Sequence, residues 1–189
     1  LVIAGAVYYF MFVYTPPTAA PKFLSPDYAL YNLYGKVKDA RVYEETDSGI
    51  NEVSTIQFDS NGHFTPDNGM FIRNNKGEII KIKIDDQNGP IYSDVNWENG
   101  RLSGYRTPLF LSTIEYNLDG SMKAETERYL KDYNILYAGD EIIHTFSDYK
   151  FDEHGNWISR TRQVEYILTN GKTYKPDPIQ QNRRITYYP

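Results

Sequence analysis

Phe58-Asp59-Ser60-Asn61-Gly62-His63-Phe64 recurs as Tyr116-Asn117-Leu118-Asp119-Gly120-Ser121-Met122 and again as Phe151-Asp152-Glu153-His154-Gly155-Asn156-Trp157. Each copy sets bulky apolar residues on either side of a polar run containing glycine, the pattern of a strand, a tight turn and a return strand. The Asp or Asn that opens the run can bond the backbone two residues on. Glycine then supplies the positive φ that other residues reach only at a cost. Asn61, Asn99 and His154, each just before a glycine, are types that tolerate bridge or left-handed backbone, so hairpin loops of about three to five residues are expected. Looser versions stand at Arg73-Asn74-Asn75-Lys76-Gly77 and Trp97-Glu98-Asn99-Gly100-Arg101-Leu102. Most of the chain reads as one hairpin unit, copied and diverged.

Around these turns the hydrophobic period is two. Ile80-Lys81-Ile82-Lys83-Ile84 sends three isoleucines to one face and two lysines to the other, so one side of that strand is expected to be buried and the other wet. Thr113 to Leu118 follows the same rule. Arg160 to Leu168 alternates less cleanly, with Arg160 and Arg162 sharing a face with Val164 and Tyr166. Val37, Ala40, Val42 and Tyr43 form an imperfect first strand, Ser54 to Phe58 follows, and Arg184 to Tyr188 closes the chain. The expected fold class is all-β, an antiparallel β-meander of roughly eight to eleven strands in chain order. One short helix is expected, with Ser25-Pro26-Asp27 as its start, Tyr28 to Tyr34 as its body and Gly35 as its stop.

The 189 residues suffice for one domain with a real core, and 18 tyrosines give a heavy aromatic load suited to a pleated, half-buried surface. A net charge of −5, with 20 Lys and Arg scattered along the chain, argues against nucleic acid as a partner. The absence of cysteine removes disulfides, thiolate metal sites and cysteine nucleophiles, and leaves the compartment open.

Compartment is read from the N-terminus. Leu1 to Tyr14 carries no charge, and the uncharged stretch runs to Pro21 before Lys22. A helix over those first residues covers roughly 21 Å, short of the roughly 30 Å hydrocarbon core. Residues preceding Leu1 would complete a span and carry its positive flank. An uncleaved anchor leads the alternatives, ahead of a signal peptide cleaved near Thr18-Ala19-Ala20 and a segment buried in the domain. The expected organisation is a transmembrane anchor or signal segment at 1–15, a Pro-rich linker at 16–25 and a β-meander repeat domain at 26–189. The repeat domain is then extracytoplasmic, in a bacterial cell envelope.

The aromatic-Asp-x-x-Gly phrase with its apolar return resembles the RHS or YD repeat, whose centre is Tyr-Asp-x-x-Gly-Arg-Leu. The resemblance covers roughly Asn51 to Tyr188. It falls on Phe58, Asp59 and Gly62, on Tyr116 and Gly120, and on Phe151, Asp152 and Gly155, with Gly100-Arg101-Leu102 matching the repeat's end. Tyr-Asp itself does not occur at these turns. The resemblance implies hairpins stacked as a continuous meander, and the chain's ending is similar to small exported repeat proteins of gut bacteria.

Chemistry is harder to find. Glu115-x-Asn117-x-Asp119-Gly120 imitates the first half of a calcium loop, but the twelfth position is Thr126, where the loop needs Glu. His63, His144 and His154 form no i, i+4 pair and adjoin no nucleophile elbow. No metal site, cofactor or catalytic residue is expected. Trp97, Tyr105, Tyr116, Trp157, Tyr166 and Tyr187 are the candidate ligand-binding residues. They form either the core or an exposed row able to stack on sugars or accept a peptide strand.

The expected function is therefore that of a non-enzymatic cell-envelope protein binding a protein or glycan partner through its sheet face or edge, with its oligomeric state open. One alternative is a structural role, in which Lys36 to Tyr43 and Arg184 to Tyr188 offer unpaired edges to other subunits. The other is a glycan hydrolase with Asp59, Glu98 and Asp152 meeting across a cleft, which a flat meander does not provide.

Overall fold

The computed structural model describes residues 23–65, 70–86, 89–133 and 136–189. The anchor expectation at 1–15 and most of the linker lie outside the described residues. Among those residues, no helix is long and apolar enough to cross a membrane.

Among the described residues one short helix, α1 (Pro26–Leu30), precedes thirteen strands: β1 (Val37–Thr46), β2 (Gly49–Phe58), β3 (Phe64–Thr65), β4 (Phe71–Arg73), β5 (Ile79–Asp86), β6 (Gly89–Glu98), β7 (Arg101–Arg106), β8 (Phe110–Tyr116), β9 (Met122–Tyr129), β10 (Glu141–Phe151), β11 (Trp157–Ile167), β12 (Thr173–Tyr174) and β13 (Ile179–Tyr187). They form a single antiparallel sheet in the order β3-β2-β1-β13-β11-β10-β9-β8-β7-β6-β5-β4, with β12 beside β11. The chain is all-β and runs as a meander from β4 to β11.

The repeated phrase produces one turn. At Asp59, Asn74, Asn117 and Asp152 the backbone N–H donates to the carbonyl four residues on, and the glycine three residues on donates back to the first carbonyl; Leu168 and Gly171 make a fifth copy. The five glycines have φ between 80° and 87°, as a type I turn closed by a left-handed residue requires. The Asp59 carboxylate accepts from the N–H groups of Asn61 and His63, and that of Asp152 from His154 and Asn156. The Trp97 hairpin is different: Asn99 and Gly100 have φ of 51° and 73° between the paired Glu98 and Arg101, a two-residue turn of primed type.

Two features lie outside a simple meander. First, β1 pairs with β13, Ala40 facing Ile185 and Val42 facing Arg183. Both terminal strands are therefore internal to the sheet, which corrects the expectation that they present free edges. Second, the sheet curls until its ends meet. Only residues 66–70 separate β3 from β4 along the chain, and the Phe64 and Phe71 rings pack edge to face at 5.0 Å. Fully buried Asp27 fastens this seam from within. Its carboxylate accepts from Phe64 N–H at 2.7 Å and from the Arg73 guanidinium.

The segment 23–34 closes the end of the curl where the turns gather. Ser25 caps α1 by accepting from Tyr28 N–H, and its hydroxyl donates to the Gly62 carbonyl at 2.6 Å. Tyr28 donates to the Val37 carbonyl at 2.6 Å, Asn32 reaches the Gly120 carbonyl, and the Tyr34 backbone exchanges two hydrogen bonds with the Asn156 side chain. Tyr28, Leu33, Val37, Ala40, Ile56 and Phe58 form the core at this end, beside a cluster of Ile79, Val95 and Leu102. A third cluster of Tyr129, Leu136, Ile142 and Val164 lies elsewhere in the sheet. The alternation of β5 is shifted by a bulge opposite Ile72 and Arg73. Ile79 is consequently the fully buried isoleucine, while Ile84 is 50% exposed.

Candidate functional site: a charged groove inside the curled sheet

Period two places Glu125, Glu127 and Tyr129 on one face of β9. Glu125 stands opposite His144 on β10, and His144 opposite Val164 on β11. Next to them Phe146, Arg160, Arg162, Tyr166 and Gln181 complete a groove of about 460 Å³. An eight-stranded barrel is just wide enough to be filled by side chains; the longer strand path here leaves this space inside, and its lining mixes charged residues with Ile142, Phe146, Val164 and Tyr166.

The β11 side is tied into a network. The Arg160 guanidinium lies 3.9 Å from the Phe146 ring centroid and 4.1 Å from that of Trp157. Its Nε donates to Gln181 Oε1 at 2.7 Å, Gln181 donates to Glu44, and Glu44 pairs with Arg162 at 2.9 Å. Arg183 lies 4.0 Å from the Trp157 ring and donates to the Trp157 carbonyl. Burial first, and Arg160 second, lower the Arg183 guanidinium to about 9.

On the β9 side, Glu125 Oε1 accepts from the Tyr105 hydroxyl and the Ser112 hydroxyl, both at 2.8 Å. Among the described residues no hydroxyl supports Glu127 in this way. Burial and then the charge of Glu125 raise its carboxyl to about 7, because both disfavour the ionised form. Burial is also the main cause that lowers the His144 imidazole, with Glu125 opposing and Arg162 reinforcing the shift. Among the described residues, His144 Nδ1, Arg162 Nε and Arg183 Nη2 are buried without a hydrogen-bond partner.

Of the six aromatic candidates, Tyr166 lines the groove. Tyr105 supports Glu125 from beside it. Trp157 is 7% exposed, its ring shared by two guanidiniums. Trp97 donates to the Ile79 carbonyl at 2.7 Å, Tyr116 donates to the Leu102 carbonyl and lies under the Arg101 guanidinium, and Tyr187 donates to the Asp152 carboxylate. Trp157 is buried and the other five rings are half-buried, with Trp97, Tyr116 and Tyr166 each lining a different pocket. Asp59 and Asp152 spend their carboxylates on turn amides, and Glu98 flanks the Asn99-Gly100 turn.

Glu125, Glu127, His144 and Gln181 were not singled out as site residues by the sequence. The stretch from Ala124 to Asp132 tolerates a helix by composition, which obscures the period-two placement of Glu125, Glu127 and Tyr129. No protein-family model matches the chain, and no curated protein does.

Proposed function

We propose that this chain is an RHS/YD-like repeat domain acting as a non-enzymatic binding protein of the bacterial cell envelope, and that the groove receives its partner, a glycan or a segment of a protein. The observation that carries this reading is a groove of about 460 Å³ whose lining is charged on two sides, since a space with convergent polar groups is the usual form of a ligand site. The shared stereochemistry of the five turns supports the repeat family. Residues 1–15 would tether the domain to the membrane, and Tyr166, with Phe146, would offer a ligand an aromatic surface.

The test is a binding screen of the full chain against a glycan panel and peptides from envelope extract, run beside Tyr166→Ala and His144→Ala variants with wild-type melting. Binding that both folded variants weaken supports the reading. Absence of binding, or binding indifferent to both substitutions, overturns it.

A second reading, assembly, is favoured by one observation. β2 bonds β3 only at Gln57 and Phe58, so residues 49–56 have no outer partner strand among the described residues, and Ile50 is 70% exposed there. An unpaired apolar edge is a template for another chain. Mass that rises with concentration in light scattering supports assembly; a monomer throughout overturns it.

A further inference from the structure

We infer that the groove is built for a dipolar ligand, the size of a short peptide, that presents an ammonium group to Glu125 and Glu127 on β9 and a carboxylate to Arg160 and Arg162 on β11. This deepens the binding reading above and rests on it.

The charges lining the groove do not meet one another. Among the described residues neither Glu125 nor Glu127 has a cation within ion-pair distance, and Arg160 has no carboxylate within it; Arg162 is paired with Glu44. Removing charges from water is costly unless an opposite charge is brought close. Here the two signs are partly desolvated on separate strands, with His144 on β10 between them and open volume above. A ligand carrying both charges relieves both walls at once. A singly charged ligand satisfies one wall and is repelled by the other, and a neutral saccharide compensates neither.

β9 and β11 are two strand spacings apart, roughly 10 Å between backbones, and their charges are offset along the strands: Glu125 and Glu127 lie level with Val164 and Tyr166, and Arg162 lies two residues beyond Val164. A groove of about 460 Å³ has room for a short peptide laid across that diagonal. Two residues of the lining, His144 and Arg162, each retain a buried nitrogen without a partner, leaving polar capacity the protein itself does not use.

Protonation supplies a signed readout. Glu127 is faced by Ser112 on β8 and Ile142 on β10, directly opposite it, and by Tyr166 on β11 beyond Ile142; Glu125 and Tyr129 on its own strand and Tyr105 on β7 are the titratable groups coupled to it, while His144, Arg160 and Arg162 line the groove further along the strands. With Glu127 raised to about 7, an ammonium beside it favours ionisation, so binding at about pH 6.5, below the ordinary range of the ligand's own amine at about 7.7–8.0, releases a proton and tightens as pH rises towards about 7. Its neighbours do not mask this: His144 is lowered and Tyr105 is raised away from neutrality. An anion bound near Glu127 would give the opposite sign.

The experiment is calorimetric titration of the full chain with dialanine and alanyl-lysine. The controls are their N-acetylated forms, their C-terminal amides, forms blocked at both ends, and the glycan panel. The expected result is affinity for the free dipeptides at least about tenfold above every blocked form, with proton release in buffers of different ionisation enthalpy. Glu127→Gln, with an intact melt, should bind more weakly and without the pH dependence. Arg162→Gln should reduce the preference for a free carboxylate. Equal binding of free and blocked dipeptides, or proton uptake, overturns the inference. Saccharide binding without dipeptide binding overturns it and leaves the groove as a ligand site, whereas binding of neither removes both readings.

Discussion

The guanidinium of Arg160 lies 4.1 Å from the ring centroid of Trp157. The same ring carries Arg183 at 4.0 Å, and Arg160 in turn covers Phe146 at 3.9 Å. Neither arginine has a carboxylate within ion-pair reach among the described residues. The aromatic faces offset part of the cost of burying these guanidiniums, about 0.5–2 kcal/mol each, without replacing a carboxylate.

Trp157→Ala should cost about 3–5 kcal/mol, because it removes a large buried ring and strips both guanidiniums of their cover. Urea denaturation with a two-state fit measures this. A loss below about 1 kcal/mol would show that the ring is not part of the interior framework.

The turn glycines separate two costs. At Gly155, with φ of 84°, the nearest atom to an added Cβ is Tyr34 Cδ2 at 3.9 Å, while at Gly62 a Cβ would stand 2.8 Å from Tyr28 Cε2. Gly155→Ala should lower stability by about 1–2 kcal/mol through backbone strain alone. Gly62→Ala should lose more, since α1 must also shift. Thermal melts showing equal losses would contradict the contact between turn and helix.

Asp27→Asn breaks the buried pair with Arg73 and weakens the bond to Phe64 N–H. Loss of one member of a buried ion pair typically costs about 3–5 kcal/mol. Hydrogen exchange should quicken first in β3 and β4, whose ends the carboxylate holds together. Protection unchanged in those strands would mean that the seam is held by other contacts.

Glu127 makes stability pH-dependent in a defined direction. Its carboxyl is raised to about 7 in the fold, from an ordinary value of 4.5, so the native state holds its proton longer than the unfolded chain. That contribution is largest below the ordinary value and is lost as pH rises towards about 7. Glu127→Gln should therefore gain stability relative to wild type at pH 8 compared with pH 5, measured by urea denaturation at both. An advantage confined to pH 5 would reverse the sign and sink the assignment.

Much of the fold was legible locally. The turn at Asp152 needs an acceptor at its first position and a residue tolerant of positive φ at its fourth, and Asp and Gly announce both. Ser25-Pro26-Asp27 likewise marks the start of α1 through a side-chain cap and a fixed φ. The irregular alternation of β1 has a physical cause in two bulges, one between Val37 and Asp39 facing β13 and one between Val42 and Tyr43 facing β2. The candidate site was less legible. Arg160, Arg162 and Tyr166 were seen to share a face, but a charged inward face reads as a solvated one until the sheet is known to curl.

The sequence by itself determined the hairpins, their turn chemistry, the antiparallel meander and the short capped helix, because each depends on residues a few positions apart. Tertiary structure decided that β1 lies against β13, that β3 and β4 meet over Asp27, and that Glu127, His144 and Arg162 line one groove. Those outcomes depend on accumulated strand twist and on contacts between residues far apart in the chain, such as Val42 and Arg183, which no local pattern encodes.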